Sequence, residues 1–240
     1  MLKSIRSEKI APEIKDSLVK LNTTNIKFKV VGSLLCQYYL KDHARYTKDL
    51  DFIFDEETEN LKDELTKVFR KVHFFQEDEN ELFYEPSFTA FVEKEEMKAQ
   101  IEGKRILFFD QIETETYEID GVEFKGAKIE YVIAEKLVSI LCELARPYKH
   151  LVDLYSFTQI DQSLLNHKNI SKYINLINQQ ENDYRSRIGL EEFKLCKQIS
   201  KDKTFIGPVI TPTLQSKHNL DKEEMISEIN RWLYLWHICG

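Results

Sequence analysis

Residues 32–54 read GSLLCQYYLKDHARYTKDLDFIF, and the second half of that segment poses a physical problem. Asp49 and Asp51 are two residues apart in an otherwise apolar run. In an extended chain they point to one face, while Leu50, Phe52 and Phe54 point to the other. Two adjacent carboxylates repel each other and favour water over burial. A cation shared between them removes the repulsion. Upstream, Ile26, Phe28 and Val30 alternate with Lys27 and Lys29 as in a strand, Gly32-Ser33 breaks the pattern, and LLCQYYL continues as a helix. Glycine lets the backbone approach a phosphate, the serine hydroxyl can bond it, and a helix N-terminus offers unpaired N–H groups to an anion. The order strand, Gly-Ser, helix, Asp-x-Asp strand predicts a phosphate cradle at Gly32 and Ser33. Beside it, Asp49 and Asp51 would hold one or two Mg²⁺ (or Mn²⁺) ions. The competing readings are a solvated strand face and an ordinary Ser33 helix cap.

Outward from this segment, the first half of the chain predicts a mixed sheet with helices. Pro12 opens a helix with Ile14, Leu18 and Leu21 on one face. Leu61, Leu65, Val68, Phe69 and Val72 fit a second amphipathic helix. Phe88 to Asp110 reads as two or three strands, broken at 93–96 and at Gly103-Lys104, and Asp120-Gly121 marks a hairpin. From about Ile129 helical periodicity dominates: Ile133, Leu137, Ile140, Leu141 and Leu144 form a stripe that ends at Pro147. Further helices are expected at 151–157, 170–178, 190–200 and 222–237, with a loop at 207–212. The fold class is therefore α+β, with a mixed-sheet domain at 1–128 and a helical bundle at 129–240.

Composition narrows the function classes. A hydrophobic content of 42% over 240 residues supports a buried core, and no apolar run approaches the roughly 20 residues needed to cross a bilayer. The chain start has no apolar signal core, so a cytoplasmic protein with no membrane partner is expected. Cys36, Cys142, Cys196 and Cys239 are scattered, without a CxxC pair or a neighbouring histidine at ligand spacing, and read as buried thiols. The net charge of −7 gives no general attraction for nucleic acid. Arg185, Arg187, Lys194, Lys197, Lys201 and Lys203 could make a local basic face, but Glu181, Asp183, Glu191 and Glu192 interleave with them and favour a solvated helix surface.

The segment from Gly32 to Phe52 resembles the motif of DNA polymerase β-like nucleotidyltransferases, and more closely the AbiEii/AbiGii-type toxin branch. Arg45, Thr47, Lys48 and the run Asp49 to Phe52 carry that likeness. A second block, AEKLVSILCELARPYKHLVDLYSF, is similar to the family's later helical motif through Lys136, Arg146, Lys149, Asp153 and Tyr155. Fifteen residues separate Ser33 from Asp49, which implies about one extra turn, and His150 stands where an aspartate is usual.

The resemblance implies a nucleotidyltransferase that moves an NMP from an NTP to an acceptor hydroxyl. It implies catalytic roles for Asp49, Asp51, Lys136 and Asp153, and nucleotide binding by Gly32, Ser33, Lys48, Arg146 and Lys149. A third carboxylate is expected on a later strand; Glu102, on the same face as Gln100, and Asp110 compete for it. By that resemblance Lys136 would reach the nucleotide phosphates or pair with an acidic site residue, its alternative being a snorkelling surface lysine, and for Asp153 the alternative is a bond to Lys149 or Arg146. The implied partners are an NTP, tRNA or another RNA, and an antitoxin protein. The rival functions are a non-catalytic nucleotide- or partner-binding module, and transfer to a protein or small molecule.

Overall fold

The computed structural model describes residues 2–55, 61–69, 72–75, 87–94, 97–141, 147–187, 189, 191–192, 194–195 and 221–235. Cys142, Cys196, Cys239, Arg146, Lys197, Lys201, Lys203, the loop at 207–212 and most of the helix expected at 190–200 lie outside them. Two compact units divide the chain, Met1–Lys128 and Ile129–Gly240.

The first unit is built on an eight-stranded mixed sheet. Its strands are β1 (Lys3–Ser4), β2 (Phe28–Val31), β3 (Asp49–Asp55), β4 (Val72–Phe75), β5 (Ser87–Lys94), β6 (Met97–Ile106), β7 (Thr114–Ile119) and β8 (Val122–Ala127). They lie in the order β1-β7-β8-β2-β3-β6-β5-β4. β3 runs antiparallel to β2 and parallel to β6, so the Asp-x-Asp strand is central and paired on both edges. Asp120 and Gly121 turn the β7–β8 hairpin with φ of 46° and 84°, the left-handed geometry that an Asp-Gly pair tolerates.

Among the described residues, three α-helices belong to this unit: α1 (Pro12–Leu21), α2 (Ser33–Leu40) and α3 (Leu61–Val68). Ile14, Leu18 and Leu21 of α1 are fully buried, as the helical spacing from Pro12 predicts. Leu50, Phe52 and Phe54 are buried on one face of β3, and Val30 stands opposite Phe52 on that face. Gly126 is in register with Val30, and a Cβ built on it would meet Leu35 at 2.8 Å, so α2 packs over this same face. On the other face Asp49, Asp51 and Asp55 are half-buried, and Glu102, Glu123 and Lys125 are exposed. The polar face is where a site can form.

Two boundaries differ from the sequence pattern. β6 continues through Gly103-Lys104 without a break, because Gly103 is held by ladders on both sides, in register with Phe52 and Phe88. Pairing on two edges compensates for the low strand propensity of glycine. α3, expected to run from Leu61 to Val72, ends at Val68, and Val72 instead opens β4, where it pairs with Ala90. The extra turn expected after α2 is a 3-10 turn at Lys41–His43.

The second unit, among its described residues, consists of helices and short turns. Its helices are α4 (Ile129–Leu141), α5 (Pro147–Thr158), α6 (His167–Arg187) and α7 (Lys222–Leu235). α4 packs against α5 and α6, and α5 against α7. α4 is buried almost all round, which its near-continuous apolar sequence requires. Among the described residues, no helix is long and apolar enough to cross a membrane.

Candidate active site

Gly32 and Asp51 define the site. β2 ends at Val31, which pairs with Asp51, and the chain turns at Gly32 directly into α2. Gly32 has φ 73° and ψ −154°, a conformation essentially confined to glycine. A Cβ built on it would stand 2.1 Å from Asp51 Oδ2 and 2.9 Å from its Cγ. The aspartate carboxylate thus occupies the space a side chain would need. Glycine is required twice here, by the torsion angle and by the carboxylate. Ser33, the first residue of α2, is buried beside this contact at 5% exposure. Asp49 lies one strand repeat from Asp51 on the same face, half-buried.

The neighbouring strand supplies a third acid. β6 runs parallel to β3 with Asp49 opposite Gln100 and Asp51 opposite Glu102, so Glu102 stands beside Asp51 on the polar face. Glu102 is exposed. Asp110 lies instead in a 3-10 turn, Phe109–Gln111, that follows β6. Its charge acts on Lys29, whose pKa burial lowers while Asp110 and Asp55 oppose that shift. Lys48 is exposed, immediately before Asp49.

The approach to β3 is pinned from three sides. Thr47 is 1% exposed. Its N–H donates to Lys9 O at 2.8 Å, and its carbonyl accepts from Ala11 N–H at 2.9 Å. Gln37 of α2 donates through Nε2 to Thr47 Oγ1 at 2.9 Å and to Arg45 O at 2.6 Å. One helix therefore carries the Gly-Ser turn at its start and, one turn later, the amide that fixes the strand bearing Asp49 and Asp51. The sequence reading missed Gln37. Its only signal is a polar residue within the apolar run LLCQYYL.

In the second unit Lys136 and Asp153 form a buried pair, Lys136 Nζ to Asp153 Oδ2 at 2.8 Å, with side chains 4% and 3% exposed. Lys136 ends inside the protein on a carboxylate, not at the surface. Asp153 takes its partner from α4, while Lys149, on its own helix, is exposed. Of the basic residues near the end of α6, Arg185 is tied to Glu181 at 3.1 Å, and Arg187 and Lys194 are exposed.

Residues 30–225 match the family model described as nucleotidyl transferase AbiEii toxin, type IV toxin–antitoxin system. The chain belongs to this family. The matched span contains the Gly-Ser turn, the Asp-x-Asp strand, Glu102 and the Lys136–Asp153 pair, and the AbiEii chain is a nucleotidyltransferase of the toxin–antitoxin class. No curated protein matches it in sequence. Among solved structures, this AbiEii chain is similar to JHP933 from Helicobacter pylori, at 17% identity over 94% of this chain and 89% of that one, with a TM-score of 0.49. It is also similar to an antigenic nucleotidyltransferase-like protein from Paracoccidioides brasiliensis, at 15% identity over 76% of this chain and 93% of that one, with a TM-score of 0.44.

Proposed function

We propose that the protein is a Mg²⁺- or Mn²⁺-dependent enzyme that transfers a nucleoside monophosphate from an NTP to an acceptor hydroxyl on RNA, with tRNA 3′ ends as the acceptor. It would act as the toxin of a pair whose antitoxin is a separate protein. The observation that carries this reading is the seating of the Asp51 carboxylate against Gly32 at the start of α2, with Asp49 on the same face. It brings a helix N-terminus, which favours phosphate, next to two carboxylates, which favour a hard cation.

The donor set fits such a cation. Asp49 and Asp51 offer oxygen ligands on a half-open face, which suits Mg²⁺, an ion that binds through one or two carboxylates and substrate phosphates and keeps several waters. Among the described residues, no group of three or more His, Cys, Asp and Glu side chains is gathered into a full protein cage. When bound, the ion would neutralise phosphate charge and polarise the α-phosphorus. The N–H groups of the first turn of α2 and the Ser33 hydroxyl bind the phosphates. The acceptor oxygen attacks the α-phosphorus, the bond to the β-phosphate oxygen breaks, and pyrophosphate leaves. The proton of the acceptor hydroxyl passes to Glu102, beside Asp51. Lys136 and Asp153 act as one charged unit, and Lys48, Arg146 and Lys149 serve the nucleotide phosphates by family resemblance.

The test is to incubate the protein with each α-labelled NTP, Mg²⁺ and total tRNA, beside an Asp49→Ala/Asp51→Ala variant. Label is expected in RNA with the native chain and not with the variant. NTP binding without transfer to RNA, protein or small molecule would replace this reading with a binding module.

A further inference from the structure

A cavity of about 240 Å³ opens at the C-terminal end of α2, lined by Arg6, Glu8, Gln37, Tyr38, Lys41 and Asp42 among others. Gly32 and Ser33 stand at the opposite end of that helix, and eight residues span about 12 Å, so the cavity is separate from the phosphate cradle. Arg6, Glu8, Lys41 and Asp42 are exposed. Among the described residues none of these four side chains makes an ion pair or a hydrogen bond, although two cations and two carboxylates share one cavity. Lys9, on the same wall, is spent on the backbone: its Nζ donates to Asp42 O at 2.7 Å and to Ala44 O at 3.0 Å. Those bonds brace the turn that carries Lys41 and Asp42. Lys41 there adopts φ 49° and ψ −113°, a conformation that persists in an L residue only where its surroundings hold it.

Two further side chains give the cavity a specific chemistry. Gln37 is 7% exposed, and both protons of its amide are committed, to Arg45 O and Thr47 Oγ1. Its Oε1 accepts no hydrogen bond among the described residues, which makes that oxygen the polar atom Gln37 has left for the cavity. A buried carbonyl oxygen without a donor is costly, and a ligand N–H relieves it. Tyr38 supplies an apolar wall. Its ring is half-buried and held edge-on by Tyr39 and Tyr117, with centroids 5.1 Å and 6.3 Å away.

The charges select the ligand class by elimination. An anion placed here meets Glu8 and Asp42, a cation meets Arg6 and Lys41, and a neutral molecule covers four charges without compensating any of them. A molecule with both signs at short range compensates all four. Size narrows the class further. At roughly 30 Å³ per water the cavity has room for about eight waters, less than the roughly 300–1,000 Å³ of pockets that take drug-sized ligands.

We infer that this cavity is a binding site for an apolar α-amino acid, taken as its zwitterion. Arg6 and Lys41 hold the α-carboxylate, for which a guanidinium offers two parallel N–H donors. Gln37 Oε1, with Glu8 and Asp42, holds the α-ammonium, and the side chain lies against Tyr38. The site is independent of the proposed nucleotidyl transfer, since its lining contains none of the residues assigned to that reaction.

The test is isothermal titration calorimetry of the full chain with L-leucine and L-phenylalanine, without NTP or metal. Saturable binding of both is expected. L-Leucinamide lacks the carboxylate and N-acetyl-L-leucine lacks the ammonium, so each should bind about tenfold more weakly or worse, the worth of one hydrogen bond to a charged group. Arg6→Gln/Lys41→Gln and Glu8→Gln/Asp42→Asn should each weaken L-leucine binding by about the same factor. These positions are exposed, and urea unfolding checks that the variants fold; the two analogues test the same claim on the native chain. Asp49→Ala/Asp51→Ala should bind L-leucine like the native chain. No saturable binding of either amino acid overturns the inference, as does native affinity in both charge variants. Binding of N-acetyl-L-leucine or L-leucinamide as tight as that of L-leucine also overturns it, because the cavity is then an anion or a cation site. Loss of L-leucine binding in Asp49→Ala/Asp51→Ala does so too, by placing the ligand on the Asp-x-Asp face.

Discussion

Replacing Gly32 by alanine is the most direct test of the site's geometry. The added Cβ would lie 2.1 Å from Asp51 Oδ2, and real Cβ contacts essentially never fall under 3.0 Å, so the carboxylate must retreat by about 0.9 Å or the turn must open. Misplacing a reacting or ligating group by about 1 Å is worth on the order of 10²-fold in rate. Alanine must also adopt φ 73°, ψ −154°, at a cost of about 1–3 kcal/mol. Gly121→Ala is the control. Its φ is 84°, yet nothing lies within 4 Å of the added Cβ, so it bears backbone strain without a clash at the site. Urea unfolding should show both variants destabilised, and the α-labelled NTP assay should show transfer falling about 10²-fold only in Gly32→Ala. If Gly32→Ala transfers at the native rate, the Asp51 carboxylate does not sit against Gly32 during the reaction and the site as described is wrong.

Other perturbations test separate parts of the structure. Lys136→Met takes the cation away from the buried Asp153 carboxylate and should cost about 3–5 kcal/mol in urea unfolding, with much of it regained in Lys136→Met/Asp153→Leu; equal losses in both would dissolve the pair. Glu102→Gln keeps the shape of the strand but removes its basic oxygen, so transfer should fall at unchanged NTP affinity, with the acidic limb of its pH profile altered; an unchanged profile removes Glu102 from proton transfer. Thr47→Val removes one acceptor from Gln37 and should cost about 1 kcal/mol, read as a lower unfolding midpoint. Burial raises the pKa of Glu115, but its bonds to Lys3, Tyr39 and Tyr117 outweigh this and hold it below the usual 4.5. A lowered carboxylate stabilises the fold fully above about pH 4.5 and loses that contribution as pH falls through the folded value. Glu115→Gln should therefore flatten the acid side of the stability–pH curve, and an unchanged acid slope would contradict the Lys3–Glu115 contact.

The readable parts of this sequence were those set by local rules. The Pro12 helix follows from spacing at 3.6 residues, the two faces of β3 from alternation at two, and the β7–β8 turn from Asp-Gly. Each signal is short-range, so one sequence suffices. The expected break at Gly103-Lys104 and the helix expected to run from Leu61 to Val72 went the other way, whereas the break at 93–96 falls between β5 and β6. Gly103 and Val72 have weak or ambiguous local preference, and partners distant in sequence, Phe52 and Ala90, decided their conformation.

For the site the division is similar. The sequence by itself determined that Gly32, Ser33, Asp49 and Asp51 belong together, because they follow one another within twenty residues and each type has a chemical reason to be there. It also offered Lys136 and Asp153 as separate motif residues. Only the tertiary structure decided that the Asp51 carboxylate fills the space above Gly32, that Glu102 and not Asp110 stands beside it, that Gln37 clamps the approach to β3, and that Lys136 and Asp153 are partners. Those facts depend on strand register and on contacts between elements. A change of one residue in register would turn Glu102 to the other face, and no local pattern in the sequence records that choice.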